Sequence, residues 1–169
     1  MNQTIPLSGA DPPLGAEILV EIGRILIRWS RTENLLDHDI RELANLAGDA
    51  AKVNGLVSFK LRLTAWRALN LKLYPTSTEF LEWTAAIARQ AKIVGKTRNT
   101  LIHGLWGGAG SDGSFMLVDL SPTRKGVKPA QHQFDINRLR SVSLQIAQLN
   151  ESLHGYMVCR QSQGPSPAP

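Results

Sequence analysis

Apolar residues recur at alternating steps of three and four along the first third of the chain: Ile18, Ile22, Ile25, Leu26, Trp29, Leu36, Ile40, Leu43 and Ala47. Such spacing draws one apolar stripe along an amphipathic helix. It predicts a first helix over residues 14–47, stopped by Gly48. Ser30, Thr32 and Asn34 cluster inside it and leave room for a break. A second stripe, Leu56, Phe59, Leu63, Trp66, Leu69 and Leu73, ends before Pro75, which cannot continue a helix. A third helix starts near Thr78, where "TSTEF" offers a hydroxyl cap and places Glu79 in the first turn. Phe80, Trp83, Ile87, Ala91, Val94, Leu101 and Leu105 form its face, and "HGLWGG" supplies glycines for its end.

The pattern then shortens. "SFMLVDL" (114–120) is a brief apolar run bounded by Gly113 and Pro122, and "AQHQF" (130–134) reads as its antiparallel mate. The glycine-rich stretch 107–114 between helix and strand reads as a flexible turn. A fourth helix follows Asp135, a good N-cap, with Ile136, Leu139, Val142, Ile146, Leu149, Leu153, Tyr156 and Cys159 on one face. The expected fold is mainly α: an antiparallel four-helix bundle over residues 14–160, with a small β-hairpin at about 114–134 inserted between the third and fourth helices. Residues 1–13 and 161–169 are rich in Pro, Gly and polar residues and are expected to be disordered.

Composition narrows the class. With 169 residues, 43% hydrophobic and 20% charged, the chain reads as one ordinary globular domain. No apolar run approaches a membrane span, and the N-terminus lacks the basic start and apolar centre of a signal peptide, so a cytoplasmic protein without membrane contact is expected. A single cysteine, Cys159, excludes an internal disulfide and a cysteine-rich metal site. Charge is distributed unevenly. Residues 1–51 hold eight acids and four bases, whereas residues 52–169 hold fifteen bases and six acids. Lys52, Lys60, Arg62, Arg67 and Lys72 occur together without an acid, as do Arg89, Lys92, Lys96 and Arg98. One-sided fields of this kind attract polyanions such as nucleic acid.

Two charges interrupt the apolar stripes. Glu33 lies four residues after Trp29 and three before Leu36; Arg98 lies four after Val94 and three before Leu101. A charge in a core position needs a partner, and the simplest pairing joins Glu33 to Arg98. Asn99 and His103 stand four apart on one helix face, with Arg98 about 100° round from Asn99. An imidazole moves protons near neutrality, a guanidinium matches phosphate oxygens, and an amide orients either. The set fits a phosphodiester or nucleotide site. It equally fits a structural set, with Arg98 in a core ion pair and the other two serving the helix end.

The segment "RNTLIH", carrying Arg98, Asn99 and His103, resembles the Arg-x4-His motif of the HEPN superfamily of nucleotide- and RNA-binding helical bundles, and its place near the end of the third helix matches. With the hairpin that follows, "RNTLIHGLW" also looks like small bacterial members of that group. The resemblance implies a homodimer in which two motifs face each other and a metal-independent endoribonuclease. His103 would assist proton transfer as an RNA 2′-hydroxyl attacks the neighbouring phosphate, Arg98 would stabilise the charge developing there, and Asn99 would support the geometry, with Glu33 behind Arg98. Lys60, Arg67 and Lys96 would contact the nucleic acid. Trp106 would stack a base or pack on the hairpin. The alternative is a non-catalytic interaction module, a regulator or antitoxin partner in a toxin–antitoxin or phage-defence setting.

Other chemistries lack their residues. His38, His132 and His154 are scattered and no HxH, HExxH or CxxC spacing occurs, so neither a metal nor another cofactor is expected. The stretch "GGAGSDGS" lacks the lysine and hydroxyl of a phosphate-binding loop.

Overall fold

The computed structural model describes residues 14–110, 112–119, 122–123, 126–127 and 129–163. The expected disorder of residues 1–13 and of 164–169 lies outside them. Four helices dominate: α1 (Ala16–Leu46), α2 (Phe59–Leu73), α3 (Thr78–His103) and α4 (Ile136–Gln163), with a short 3-10 turn at Ala50–Val53. Five strands, β1 (Leu105–Ala109), β2 (Phe115–Asp119), β3 (Pro122–Thr123), β4 (Gly126–Val127) and β5 (Ala130–Phe134), fall between α3 and α4. No helix among the described residues is long and apolar enough to cross a membrane.

The helix ends follow from local chemistry. Ser58 caps α2, its hydroxyl accepting from the Leu61 N–H at 3.2 Å. Asp135 caps α4 by accepting from the Arg138 N–H at 2.7 Å. Helix α1 shows no break at residues 30–34. The Thr32 hydroxyl turns back to the Arg28 carbonyl at 3.2 Å and donates to Asn150 Oδ1 on α4 at 2.7 Å, so Thr32 is absorbed by the interior, while Ser30 and Asn34 face outward and the helix runs on. Gln161, Ser162 and Gln163, expected in the tail, continue α4.

The two expected strands are present, within a small antiparallel sheet. β2 and β5 pair antiparallel with Leu117 opposite His132 and Phe115 opposite Phe134. A third strand, β1, completes the sheet in the order β1-β2-β5. That strand corrects two expectations: Leu105 leaves the helix, and the glycines at 107 and 108 lie within a strand, not in a flexible turn. A Cβ at Gly107 would stand 3.3 Å from the Met116 carbonyl oxygen, so the close approach of β2 favours glycine there. The ladder is irregular between Trp106 and Ala109, as a bulge near glycines would make it.

The chain forms two compact units. One comprises the chain to Leu26 with Val94–Leu144; the other comprises Ile27–Ile93 with residues from Gln145 onward. In the first, Leu101, Phe115, Leu117, Phe134 and Leu139 are buried. In the second, Trp29, Leu36, Leu43, Trp66, Ile87, Ile146, Leu149 and Tyr156 are buried, the stripe residues expected of α1 to α4. Leu26 and Leu105, assigned to stripes, are instead 37% and 45% exposed.

Candidate functional site

The last two turns of α3 bring the motif together within the first unit. Lys96, Asn99 and His103 are exposed and Arg98 is half-buried. Arg98 Nη1 donates to Asn99 Oδ1 at 3.1 Å, which turns the guanidinium towards the exposed amide. The helix stops at His103 for a steric reason. The Gly104 N–H still closes on the Thr100 carbonyl at 2.9 Å, but a Cβ at 104 would lie 2.5 Å from that same oxygen. The chain therefore leaves the helix at a residue without a side chain and enters β1. His103, the final helical residue, is left at the carbonyl end, and no hydrogen bond or ion pair among the described residues engages it. The carbonyl end carries partial negative charge, so an anion here is held by side chains and not by backbone donors.

Trp106 lies next to this end, in β1. Its ring stacks on Phe115 at 5.0 Å and 20°, and Phe115 stacks in turn on Phe134 at 5.8 Å and 13°. The Arg138 guanidinium caps the ladder, 4.3 Å from the Phe134 ring centre. Packing against the sheet thus occupies one face of Trp106.

The partner expected for Glu33 is corrected. Its carboxylate accepts from Arg62 Nη2 on α2 at 3.1 Å, and Arg62 Nη1 donates to Asp37 Oδ2 at 2.8 Å. Glu33 and Asp37 are one turn apart on α1, so one planar guanidinium spans both carboxylates. Lys60 and Arg67 are exposed on α2, seven residues apart and so nearly on one face. Lys96, Arg98, Asn99, His103 and Trp106 belong to the first unit, and Glu33, Lys60 and Arg67 to the second. A cleft of about 220 Å³ in the second unit is lined by Asp37, Arg41, Gly55 and Arg62. Its Arg62 is already committed to two carboxylates, which leaves it poorly suited to an anion.

Sequence reading missed the most buried polar cluster, also in the second unit. Asp39 is fully buried and Arg160 nearly so, at 0% and 3% exposure. Arg160 Nη2 donates to Asp39 Oδ1 at 2.6 Å and to Glu42 Oε2 at 2.7 Å, while Trp66 Nε1 donates to Asp39 Oδ2 at 2.6 Å. The Tyr156 hydroxyl bonds Asn70 Oδ1, and Asn70 Nδ2 donates to the Trp66 carbonyl at 2.9 Å. Tyr156 meets Trp66, Phe80 and Trp83 edge-on, with centroids 5.4 to 5.7 Å apart. Burial raises the Asp39 carboxyl above the ordinary aspartate range, against the pull of Trp66 and Arg160. Burial also acts to raise Glu42, but hydrogen bonds from Arg160 and Gln161 prevail and hold it below the usual range. Desolvation, then the Asp39 charge, pushes the Tyr156 phenol upward. Asp39 and Arg160 are closed off from solvent and bonded to each other, which marks the cluster as a positioning core and not a reaction site.

Among the described residues no group of three His, Cys, Asp or Glu side chains is arranged to hold a metal ion. No protein-family model matches the chain, and no curated protein or solved structure shows significant similarity to it.

Proposed function

We propose that this chain is an RNA- or nucleotide-binding protein of the HEPN-like kind. In this reading its four helices pack as an antiparallel bundle, and its site lies at the end of α3. The particular activity proposed is metal-independent endoribonucleolysis by a homodimer. The reading is supported chiefly by one observation: an exposed His103 at a helix end that also carries a guanidinium hydrogen-bonded to the neighbouring Asn99. Every ionisable side chain from residue 83 to 111 other than His103 is basic, which suits a phosphodiester.

The chemistry follows from those groups. The RNA 2′-hydroxyl attacks the adjacent phosphorus as its proton passes to a neutral imidazole. The P–O5′ bond breaks, and the 5′ oxygen takes a proton from a second acid. In a dimer with facing motifs the partner's His103 is that acid. The products are a 2′,3′-cyclic phosphate and a 5′-hydroxyl. Arg98 offsets the charge that accumulates on the non-bridging oxygens, an electrostatic contribution larger in the transition state than in the ground state. Asn99 fixes the guanidinium. Lys96 lies on the same helix to hold flanking phosphates, Lys60 and Arg67 are further exposed cations on the second unit, and the free face of Trp106 is available to a base.

The test is incubation of purified protein with single-stranded RNA in excess chelator, with the new ends analysed. Cyclic phosphate ends are expected, with loss of cleavage in His103→Ala and Arg98→Ala at unchanged helical content. RNA left intact by the wild type removes the catalytic half. Binding that survives and is lost in Arg98→Ala keeps the nucleotide-binding half. Absence of both leaves the non-catalytic interaction module, a regulator or toxin–antitoxin partner.

A further inference from the structure

Helix α1 carries an apolar surface that the described residues leave uncovered. Leu19, Val20, Leu26 and Ile27 are 56%, 53%, 37% and 73% exposed. They repeat at intervals of seven, Leu19 with Leu26 and Val20 with Ile27. The small residues Ala16, Gly23 and Ser30 repeat at the same interval between them. Seven residues fall about 20° short of two turns, so these positions form one nearly straight uncharged stripe. Gly23 is its centre. A glycine inside a helix is destabilising relative to alanine, and this one has no local excuse. Its φ is not positive, and a Cβ built on it meets nothing within 4 Å. What a missing side chain does permit is close approach by another backbone.

We propose that α1 is a self-docking face, and that a second copy of this chain packs its α1 antiparallel across the stripe, centred on Gly23. The occupant follows from the sequence's own symmetry. Reversed about residue 23, Ala16 falls opposite Ser30, Leu19 opposite Ile27 and Val20 opposite Leu26, small against small and large against large. Charge supports the same orientation. One flank of the stripe is acidic at its start, with Glu17, and basic towards its end, with Arg24, Arg28 and Arg31. In an antiparallel pair about a two-fold axis each flank meets its own copy reversed, which sets Glu17 beside Arg28 and Arg31 of the second copy. Parallel pairing about a two-fold axis would instead set that flank against the other flank of the second copy, where Ile18 and Ile22 offer no counter-charge. The intrachain contact of Glu17, to Arg140 at 3.4 Å with Glu17 79% exposed, is a loose surface pair that leaves it available. This surface stands whether or not RNA is cut.

Sedimentation of the full chain over a wide concentration range tests it, together with the double variant Leu19→Glu, Ile27→Glu, checked for retained helical content. Both sites are exposed in the monomer, so folding should persist while the dissociation constant rises about a hundredfold or more, with four carboxylates gathered on an apolar seam. Register is read separately by cysteine placement in a Cys159→Ser background. Gly23→Cys should form an interchain disulfide on oxidation. Ala16→Cys and Ser30→Cys should each fail alone and cross-link only when the two proteins are mixed. A wild type that stays monomeric at every concentration overturns the proposal. So does a dimer indifferent to the glutamates or cross-linked in another register. RNA cleavage by the same samples is scored independently, so failure here and failure of the ribonuclease reading are distinguishable.

Discussion

Asp39 and Arg160 form the contact on which the second unit depends most. Two opposite charges at 0% and 3% exposure, bonded at 2.6 Å, are tolerable because each is the other's counter-charge, with Trp66 donating to Asp39 and Glu42 accepting from Arg160. Asp39→Ala leaves a buried guanidinium without its main counter-charge and should cost about 3–5 kcal/mol in denaturant unfolding. Asp39→Ala with Arg160→Met should cost much less than the sum of the single changes. The neighbouring Glu42 predicts a pH signature. Its carboxyl is held low by Arg160 and Gln161 in the folded chain. It therefore stabilises the fold at pH values above the unfolded glutamate range, and that contribution is lost as pH falls through its folded value. The stability gap between wild type and Glu42→Gln should be flat through neutrality and close in acid. Asp39, raised by burial, works in the opposite sense, disfavouring the fold as pH rises through its folded value. These residues were legible in principle. Asp39 follows Leu36 by three and precedes Leu43 by four, and Arg160 follows Tyr156 by four, the same stepping that singled out Glu33 and Arg98. The stepping says which charge is interior but not which partner it meets. Glu33 consequently went to Arg62, a side chain that no stripe had marked.

Elements show the same division between what periodicity carries and what it cannot. The helices announce themselves because each buries a stripe many residues long, and Asp135 and Ser58 cap where a short polar side chain can accept an orphan N–H. β2 and β5 were visible as short runs between turn residues. β1 was not, because "LWGGA" has no alternation to read: two of its five residues lack side chains, and the glycine at 107 is there for the approach of Met116. Glycines at different points in the elements consequently respond differently to one added methyl. At Gly23, with open space around it, alanine should stabilise the monomer by about 1 kcal/mol, the helix-propensity difference. At Gly104, where the new carbon would stand 2.5 Å from the Thr100 carbonyl oxygen, alanine should force the end of α3 to shift and lower the melting temperature. Thermal unfolding of the pair, measured under monomeric conditions, checks opposite signs for one chemical change.

The whole chain is basic, with 19 Lys and Arg against 14 Asp and Glu, but its two units use that charge differently. In the second unit Arg62 and Arg160 are spent on interior or half-buried carboxylates, and Lys72 reaches Asp49 at 2.6 Å. Those three cations are thereby neutralised within the unit. Lys60 and Arg67 remain at its surface. In the first unit Lys96 and His103 stand exposed at the end of α3 with no acid near them in sequence. Net charge alone therefore overstates the nucleic-acid footprint; what counts is the set of cations that ion pairs leave available. If RNA is bound, each cation that neutralises a phosphate releases condensed counterions, and the logarithm of affinity falls linearly with the logarithm of salt by about 0.7 per contact for a single strand. Lys96→Gln should then weaken binding and reduce that slope by about 0.7. Lys72→Gln, which removes a cation already paired with Asp49, should leave the slope unchanged. The Lys60→Gln, Arg67→Gln double variant should reduce the slope by twice the Lys96 step where both cations contact phosphate, as the proposal assigns. Fluorescence anisotropy with a labelled single strand over a salt series reads all three. A slope that responds to Lys96 but not to Lys60 and Arg67 confines the footprint to the first unit. A slope that ignores Lys96 removes the end of α3 from the interface altogether.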